Sequence, residues 1–178
     1  MTKLKNKKQI VKTGDVVAIP LPDGKFAFGL QFGDVTAIYS IVTNGKGGPP
    51  IGHRKFLFAT GIYNDVLSNP AWAKVGKDIV TQSEIEFVSL GFVYDDENDS
   101  YELYSPFFDE YVKPSTKEEC FGLEMISAWD SHCIIDRIVS SLKNKKTEWL
   151  KDCPWIPFAI DLSNRDDMRR VPLGEVLQ

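Results

Sequence analysis

"IPLPDGKFAFG", Ile19 to Gly29, sets a tight reversal between two alternating apolar runs, and it restricts the chain to folds that begin with an antiparallel hairpin. Proline sets φ at the first corner, and Asp23 and Gly24 tolerate the bridge and left-handed conformations that a reversal needs. Val17, Ile19 and Leu21 share one face of the incoming strand, while Phe26, Phe28, Leu30 and Phe32 share one face of the outgoing strand. A slip of one residue would turn those aromatics into water, so the register is firm. Gly29 interrupts the aromatic strand and predicts a bend or a close backbone approach.

Beyond the hairpin the first two-thirds of the chain reads as β. "VTAIYSIV" is a β-branched run of strand length, "NGKGGPPIGH" is a loop dense in glycine and proline, and "RKFLFATGIYN" predicts another strand. "SNPAWAKVGK" reads as an irregular connection anchored by Trp72, and "EIEFVSLGFVY" with "SYELYS" reads as a hairpin around the charged tip "DDENDS". The character changes at Ser115, where Ser115 with Glu118, or Thr116 with Glu119, forms a capping-box pattern. Phe121, Met125 and Ala128 or Trp129 then recur at helical spacing and predict a helix over 116–128, with Gly122 packed close to a neighbour. Asp130 or Ser131 caps a second helix over 131–143, striped by Ile134, Ile138 and Leu142. The expected fold is therefore α+β: a twisted antiparallel sheet or partial barrel from the first 112 residues, packed against two C-terminal helices. The expected organisation is one domain over 1–178, with a flexible basic arm at 1–11, a core at 12–142 and a wrapping tail at 143–178.

Charge narrows the functional classes more than composition does. The net charge is −4, yet residues 84–119 hold eleven acids against Lys113 and Lys117, a local charge of −9. That argues against a phosphate-tracking surface there and for a basic partner or plain solubility. The first twelve residues carry Lys3, Lys5, Lys7, Lys8 and Lys12 without an acid, which reads as a solvated terminus. No apolar run approaches the ~20 residues of a membrane span, and the lysine-rich start lacks the apolar core of a signal peptide, so a cytoplasmic protein is expected. Cys120, Cys133 and Cys153 show no paired spacing and predict reduced thiols.

Catalytic patterns are sparse. GxSxG, HExxH, a phosphate-binding glycine loop and CxxC are all missing from the sequence, and its two histidines, His53 and His132, cannot supply a histidine-rich metal centre. His132 and Cys133 occupy adjacent helix positions about 100° apart, so a structural role is expected for them. His53, in a glycine–proline loop, is expected to be solvent-exposed. Asp130, Asp136 and Arg137 are read as a cap and ion pairs, and Gly14–Asp15 as a turn. No catalytic residue, metal or cofactor is assigned. The best interaction candidate is the acidic–aromatic stretch Tyr94 to Tyr111, with Asp95, Asp96, Glu97, Asp99, Tyr101, Glu102, Tyr104, Asp109 and Glu110 as partner-binding residues. Aromatics supply contact area there and carboxylates steer a basic partner.

"KTGDVVAIPLPDGKFAFG", then "IYND" with Trp72 and "VGK", then "PSTKEECFGLE", "AWD" and "DRI" in that order, resemble the immunity protein 26 family of bacterial polymorphic toxin systems. The resemblance runs from about Lys12 to about Leu142. It marks Gly14, Asp15, Pro20, Gly24, Gly29, Trp72, Trp129, Asp130, Asp136 and Arg137 as structural motif positions. Leu30 and Gln31 stand where Arg-Val commonly follows the glycine, and the acidic hairpin and the proline-containing tail are further departures. The resemblance implies a small, non-catalytic cytosolic antidote that binds a basic toxin domain. Some relatives carry a HocA-type phosphotriesterase description, which makes a small hydrolase the alternative.

Overall fold

The computed structural model describes residues 8–177, and the lysines at 3, 5 and 7 lie outside the described residues. The opening reversal forms as expected. β1 (Asp15–Pro20) pairs antiparallel with β2 (Phe26–Phe32), with Ala18 opposite Phe28 and Val17 opposite Gly29. The turn is closed by Leu21 N donating to Lys25 O at 2.9 Å and Lys25 N to Asp23 Oδ1 at 3.1 Å, with Gly24 at φ +80°. At Gly29 the close approach is real: a Cβ there would stand 2.6 Å from Thr36 Cγ2 on the neighbouring strand.

That neighbour is β3 (Val35–Tyr39), followed by β4 (Lys55–Ile62), the short helix α1 (Asn64–Leu67) and β5 (Lys74–Lys77). "KVGK" is thus an edge strand on β1 rather than an irregular connection, because β1 would otherwise leave its outer backbone groups unpaired. Trp72 anchors the segment as expected, buried beside β1. The helix α2 (Gln82–Ser89) corrects a second expectation. "EIEFVS" alternates like a strand, but the capping box Thr81–Glu84 starts a helix, and the strand β6 (Gly91–Asp95) begins only after it. β7 (Ser100–Tyr104) and β8 (Val112–Ser115) complete a meander with β6.

The expected helix over 116–128 is overturned. Its capping box exists, with Thr116 and Glu119 satisfying each other's backbone, but α3 covers only Lys117–Cys120. Gly122 then adopts φ +80° against the Phe158 ring, and β9 (Glu124–Met125) and β10 (Ala128–Trp129) follow. β9 pairs parallel with β6 and β10 pairs parallel with β4, so this ribbon stitches two sheets together. The second helix matches its expected span. α4 (Ser131–Leu142) has Asp130 at its N-cap, without a side-chain capping bond, and buries Ile134 and Ile138. In the tail, β11 (Ala159–Asp161) joins β4 and β12 (Arg169–Val171) joins β11, so part of it is sheet.

The result is α+β. The large sheet runs β12-β11-β4-β3-β2-β1-β5, with β10 branching from β4, and it is open at both ends rather than a barrel. Its two faces are both buried. Val17, Ile19, Ile38 and Phe58 pack with α4, whereas Phe28, Leu30, Phe32 and Phe56 pack with Val88, Ile85 and Phe87 of α2. The helices flanking the sheet are therefore α2 and α4, not two consecutive C-terminal ones. The small sheet runs β8-β7-β6-β9 and covers a third cluster around Phe92, Leu123 and Trp155.

Candidate functional site

The acidic–aromatic stretch occupies the small sheet, and strand alternation divides it in two. Tyr94 lies opposite Tyr101 and Phe92 opposite Leu103, and these side chains pack inward on Trp155. Tyr101 stacks on Trp155 at 5.9 Å between centroids, which makes it a half-buried wall of the core. Glu102 and Tyr104 occupy the other face, where Tyr104 stacks on Tyr111 at 6.5 Å. The loop between β7 and β8 raises Phe107 and Tyr111, which are 46% and 58% exposed. Ser105 pins that loop, its N–H donating to Tyr111 O at 2.8 Å and its Oγ accepting from Phe107 N at 3.2 Å. Tyr111 holds φ +63°, a left-handed conformation rare for an aromatic residue.

The carboxylates also divide. Asp95 shapes the β6–β7 turn by accepting from Glu97 N, Asn98 N and, at 2.6 Å, Asn98 Nδ2. The Asn98 side chain, aided by these backbone amides, holds the Asp95 carboxyl below its ordinary value. Asp99 sits at φ +48° and accepts from Tyr94 Oη at 3.1 Å, which raises the Tyr94 phenol. Asp96, Glu97, Glu102, Asp109 and Glu110 form no side-chain ion pair or hydrogen bond among the described residues. Glu84, counted in the acidic stretch, leaves it altogether: it is buried under the large sheet as the capping-box acid of α2.

Asp130, Asp136 and Arg137 do not form one site. Asp136 is exposed and accepts from Thr147 Oγ1 at 2.8 Å. Arg137 is 2% exposed and donates two bonds to Glu124, at 2.6 and 2.8 Å. Its guanidinium also lies 3.9 Å from the Phe58 ring centroid and 5.2 Å from that of Trp129. Glu124 is the residue that sequence reading missed. Its signal is that it is the only charged residue in the run Cys120–Trp129.

A second polar array lies at the edge of the large sheet. Asp78 accepts from Tyr39 Oη at 3.1 Å, Gly52 N at 2.8 Å and Arg54 Nη2 at 3.3 Å, and Arg54 Nη1 approaches Glu84 at 3.8 Å. Burial, then the Asp78 charge, pushes the Tyr39 phenol far up. Asp15 is buried too, closing the Gly14 turn by accepting from Lys12 N and pairing with Lys74 at 3.2 Å. His53, expected in solvent, is half-buried with Nε2 3.0 Å from Ser40 Oγ, and burial lowers its pKa. His132 and Cys133, read as structural, touch each other. Nε2 and Sγ stand 3.3 Å apart, and the His132 ring lies edge-on to Trp149. No group of three or more His, Cys, Asp or Glu among the described residues could hold a metal ion.

Residues 12–99 match the family model of immunity protein 26. The chain belongs to the immunity protein 26 family. The match runs from β1 to the β6–β7 turn, so it takes in Gly14, Asp15, Pro20, Gly24, Gly29 and Trp72 and stops short of Trp129, Asp130, Asp136 and Arg137. It also contains the whole Tyr39–Arg54–Asp78–Glu84 array, whereas β7, β8 and the exposed loop lie beyond it. Neither the curated proteins nor the solved structures compared with the chain include a match. No helix among the described residues is long and apolar enough to cross a membrane.

Proposed function

We propose that this immunity protein neutralises a cognate toxin domain of a bacterial polymorphic toxin system by binding it in the cytoplasm, without catalysis. The partner surface is the solvent face of the small sheet and its β7–β8 loop, and the toxin domain is basic. The observation that carries this reading is the company of Asp96, Glu97, Glu102, Asp109 and Glu110, acids without a paired cation among the described residues, with the exposed rings of Phe107 and Tyr111. Charges of that kind steer encounter, and exposed aromatics supply anchoring area.

The test is capture of the toxin domain encoded next to this gene, with binding kinetics at low and moderate salt. Neutralising Asp96, Glu97, Glu102, Asp109 and Glu110 together slows association about tenfold at low salt and flattens its salt dependence. Truncating Tyr111 to alanine speeds dissociation instead. Unchanged kinetics in both variants would place the partner surface elsewhere.

One observation favours the hydrolase alternative: Ser40 beside His53. No carboxylate among the described residues stands within 4 Å of that imidazole to orient it, as a nucleophile–base pair needs. Phosphotriester and ester assays, with and without divalent metals, decide the point. Turnover lost on His53→Gln with folding intact would replace the binding reading.

A further inference from the structure

A cleft of about 110 Å³ lies where the two sheets meet, walled by β4, the C-terminal end of α2, β7 and the β9–β10 ribbon. Two glycines build it. A Cβ on Gly61 would stand 2.6 Å from Ser127 O, and one on Gly91 would stand 2.8 Å from Glu124 O. The ribbon thus seats tightly on both strands and leaves the cleft between them.

Two wall residues are unusual. Thr60 is 1% exposed and Ser89 is 4% exposed, and neither hydroxyl oxygen has a hydrogen-bonding partner among the described residues. Buried hydroxyls are ordinarily satisfied, and two orphans in the wall of one cleft call for an occupant that can pair with them. Both oxygens are shut off from solvent, so each would reach an occupant only by rotating about χ1 between staggered wells.

The remaining chemistry selects that occupant. Two carboxylates line the cleft: Glu124, whose oxygens both already accept from Arg137, and Asp34, which stays exposed to solvent. A charged group seated beside the buried Thr60 and Ser89 would lose its hydration among walls that are mainly apolar. A purely apolar group would leave the hydroxyls unpaired. What fits is a short apolar stem with an uncharged hydroxyl or amide tip. The cleft is also lined by Tyr104, the ring stacked on Tyr111, so it is continuous with the proposed toxin-binding face.

We infer that the cleft between the sheets is a socket for one uncharged, hydrogen-bonding side chain of the toxin, received by the Thr60 and Ser89 hydroxyls. This rests on the toxin-binding reading and names the anchor point within it.

The test separates the socket from that reading. Thr60→Val with Ser89→Ala removes both hydroxyls and keeps the wall. The free double variant melts at or above the wild-type temperature, since no protein partner is lost, while its affinity for the toxin domain falls at least tenfold through faster dissociation. Ser89→Ala alone gives a smaller loss in the same direction. Independently of any toxin, p-cresol and propionamide at millimolar concentration shift the amide resonances of Gly61 and Gly91 in the wild type but not in the double variant. n-Butylamine and butyrate leave those resonances in place. Undiminished toxin affinity in the double variant would overturn the proposal. So would the lack of cresol and propionamide shifts, equal shifts with the charged probes, or ordered water alone at the two hydroxyls in a toxin complex. Toxin capture without probe shifts sinks the socket alone. Probe shifts in a wild-type protein that captures no toxin sink the toxin-binding reading, and with it the toxin as the source of the occupant.

Discussion

The large and the small sheet use the same strand geometry to opposite ends. The large sheet is buried on both faces by α2 and α4, and its acids, Asp15, Asp78 and Glu84, are held by cations or backbone amides. The small sheet buries its inner face, on Trp155 and Phe92, and leaves most of its outer carboxylates without cations among the described residues. One sheet uses its charges to close its own structure. The other presents them to solvent, where an ion pair with a partner can form.

The largest effect expected from breaking this arrangement lies at the seam. Glu124→Ala leaves Arg137 buried without its carboxylate and lowers stability by about 3–5 kcal/mol, measured by urea denaturation. A conservative Glu124→Gln variant that cost nothing would show that the Phe58 and Trp129 rings alone satisfy the guanidinium.

The two capping boxes sharpen the contrast. Thr81 caps α2 on the buried Glu84 and also donates to its carboxylate at 3.1 Å, whereas Thr116 caps the exposed α3. Thr81→Ala should cost about 2 kcal/mol and Thr116→Ala about 0.5–1 kcal/mol. Equal losses would mean that the small sheet is as tightly coupled to its helix as the large one.

A smaller effect is expected from pH. Burial lowers His53 below its ordinary 6.5. The unfolded chain then binds its proton first as pH falls, so this group's contribution to stability is full above about 6.5 and declines as pH drops through and below that value. Denaturation midpoints at pH 7.5 and 5.5 should show a slope that His53→Gln reduces. Smallest of all, neutralising Asp96, Glu97, Glu102, Asp109 and Glu110 should change stability by no more than about 0.5 kcal/mol, although it slows binding. A large stability change would mean that these acids serve the fold.

Much of the large sheet was legible because its determinants are local. The β1–β2 turn and its alternation are complete within eighteen residues, Asp15 to Phe32, and α4 announces itself by Asp130 and the spacing of Ile134 and Ile138. α2 was legible in principle. Thr81 and Glu84 form the box, but the alternation of Glu84, Ile85, Glu86 and Phe87 imitates a strand. The acidic face was also visible, down to which residues carry charge, though not which of them the turn would use. Asp95 and Asp99 are consumed by hydrogen bonds within the hairpin, and Tyr101 turns inward because it stands opposite Tyr94.

The sequence by itself therefore determined the hairpin, the α4 stripe, the caps and the concentration of acid on one segment, since each depends on residues within a turn or two of one another. Only the tertiary structure decided that Phe121 to Trp129 is a ribbon, that Glu124 meets Arg137, and that Thr60 and Ser89 share a cleft. The helical spacing of Phe121 and Met125 is a local preference worth little. Against it stand Gly122 in the left-handed region and two parallel pairings, to β6 and to β4, whose partners lie some thirty and nearly seventy residues back along the chain. Backbone groups must be paired wherever they are buried, and which distant strand pairs them depends on where the rest of the chain has already packed.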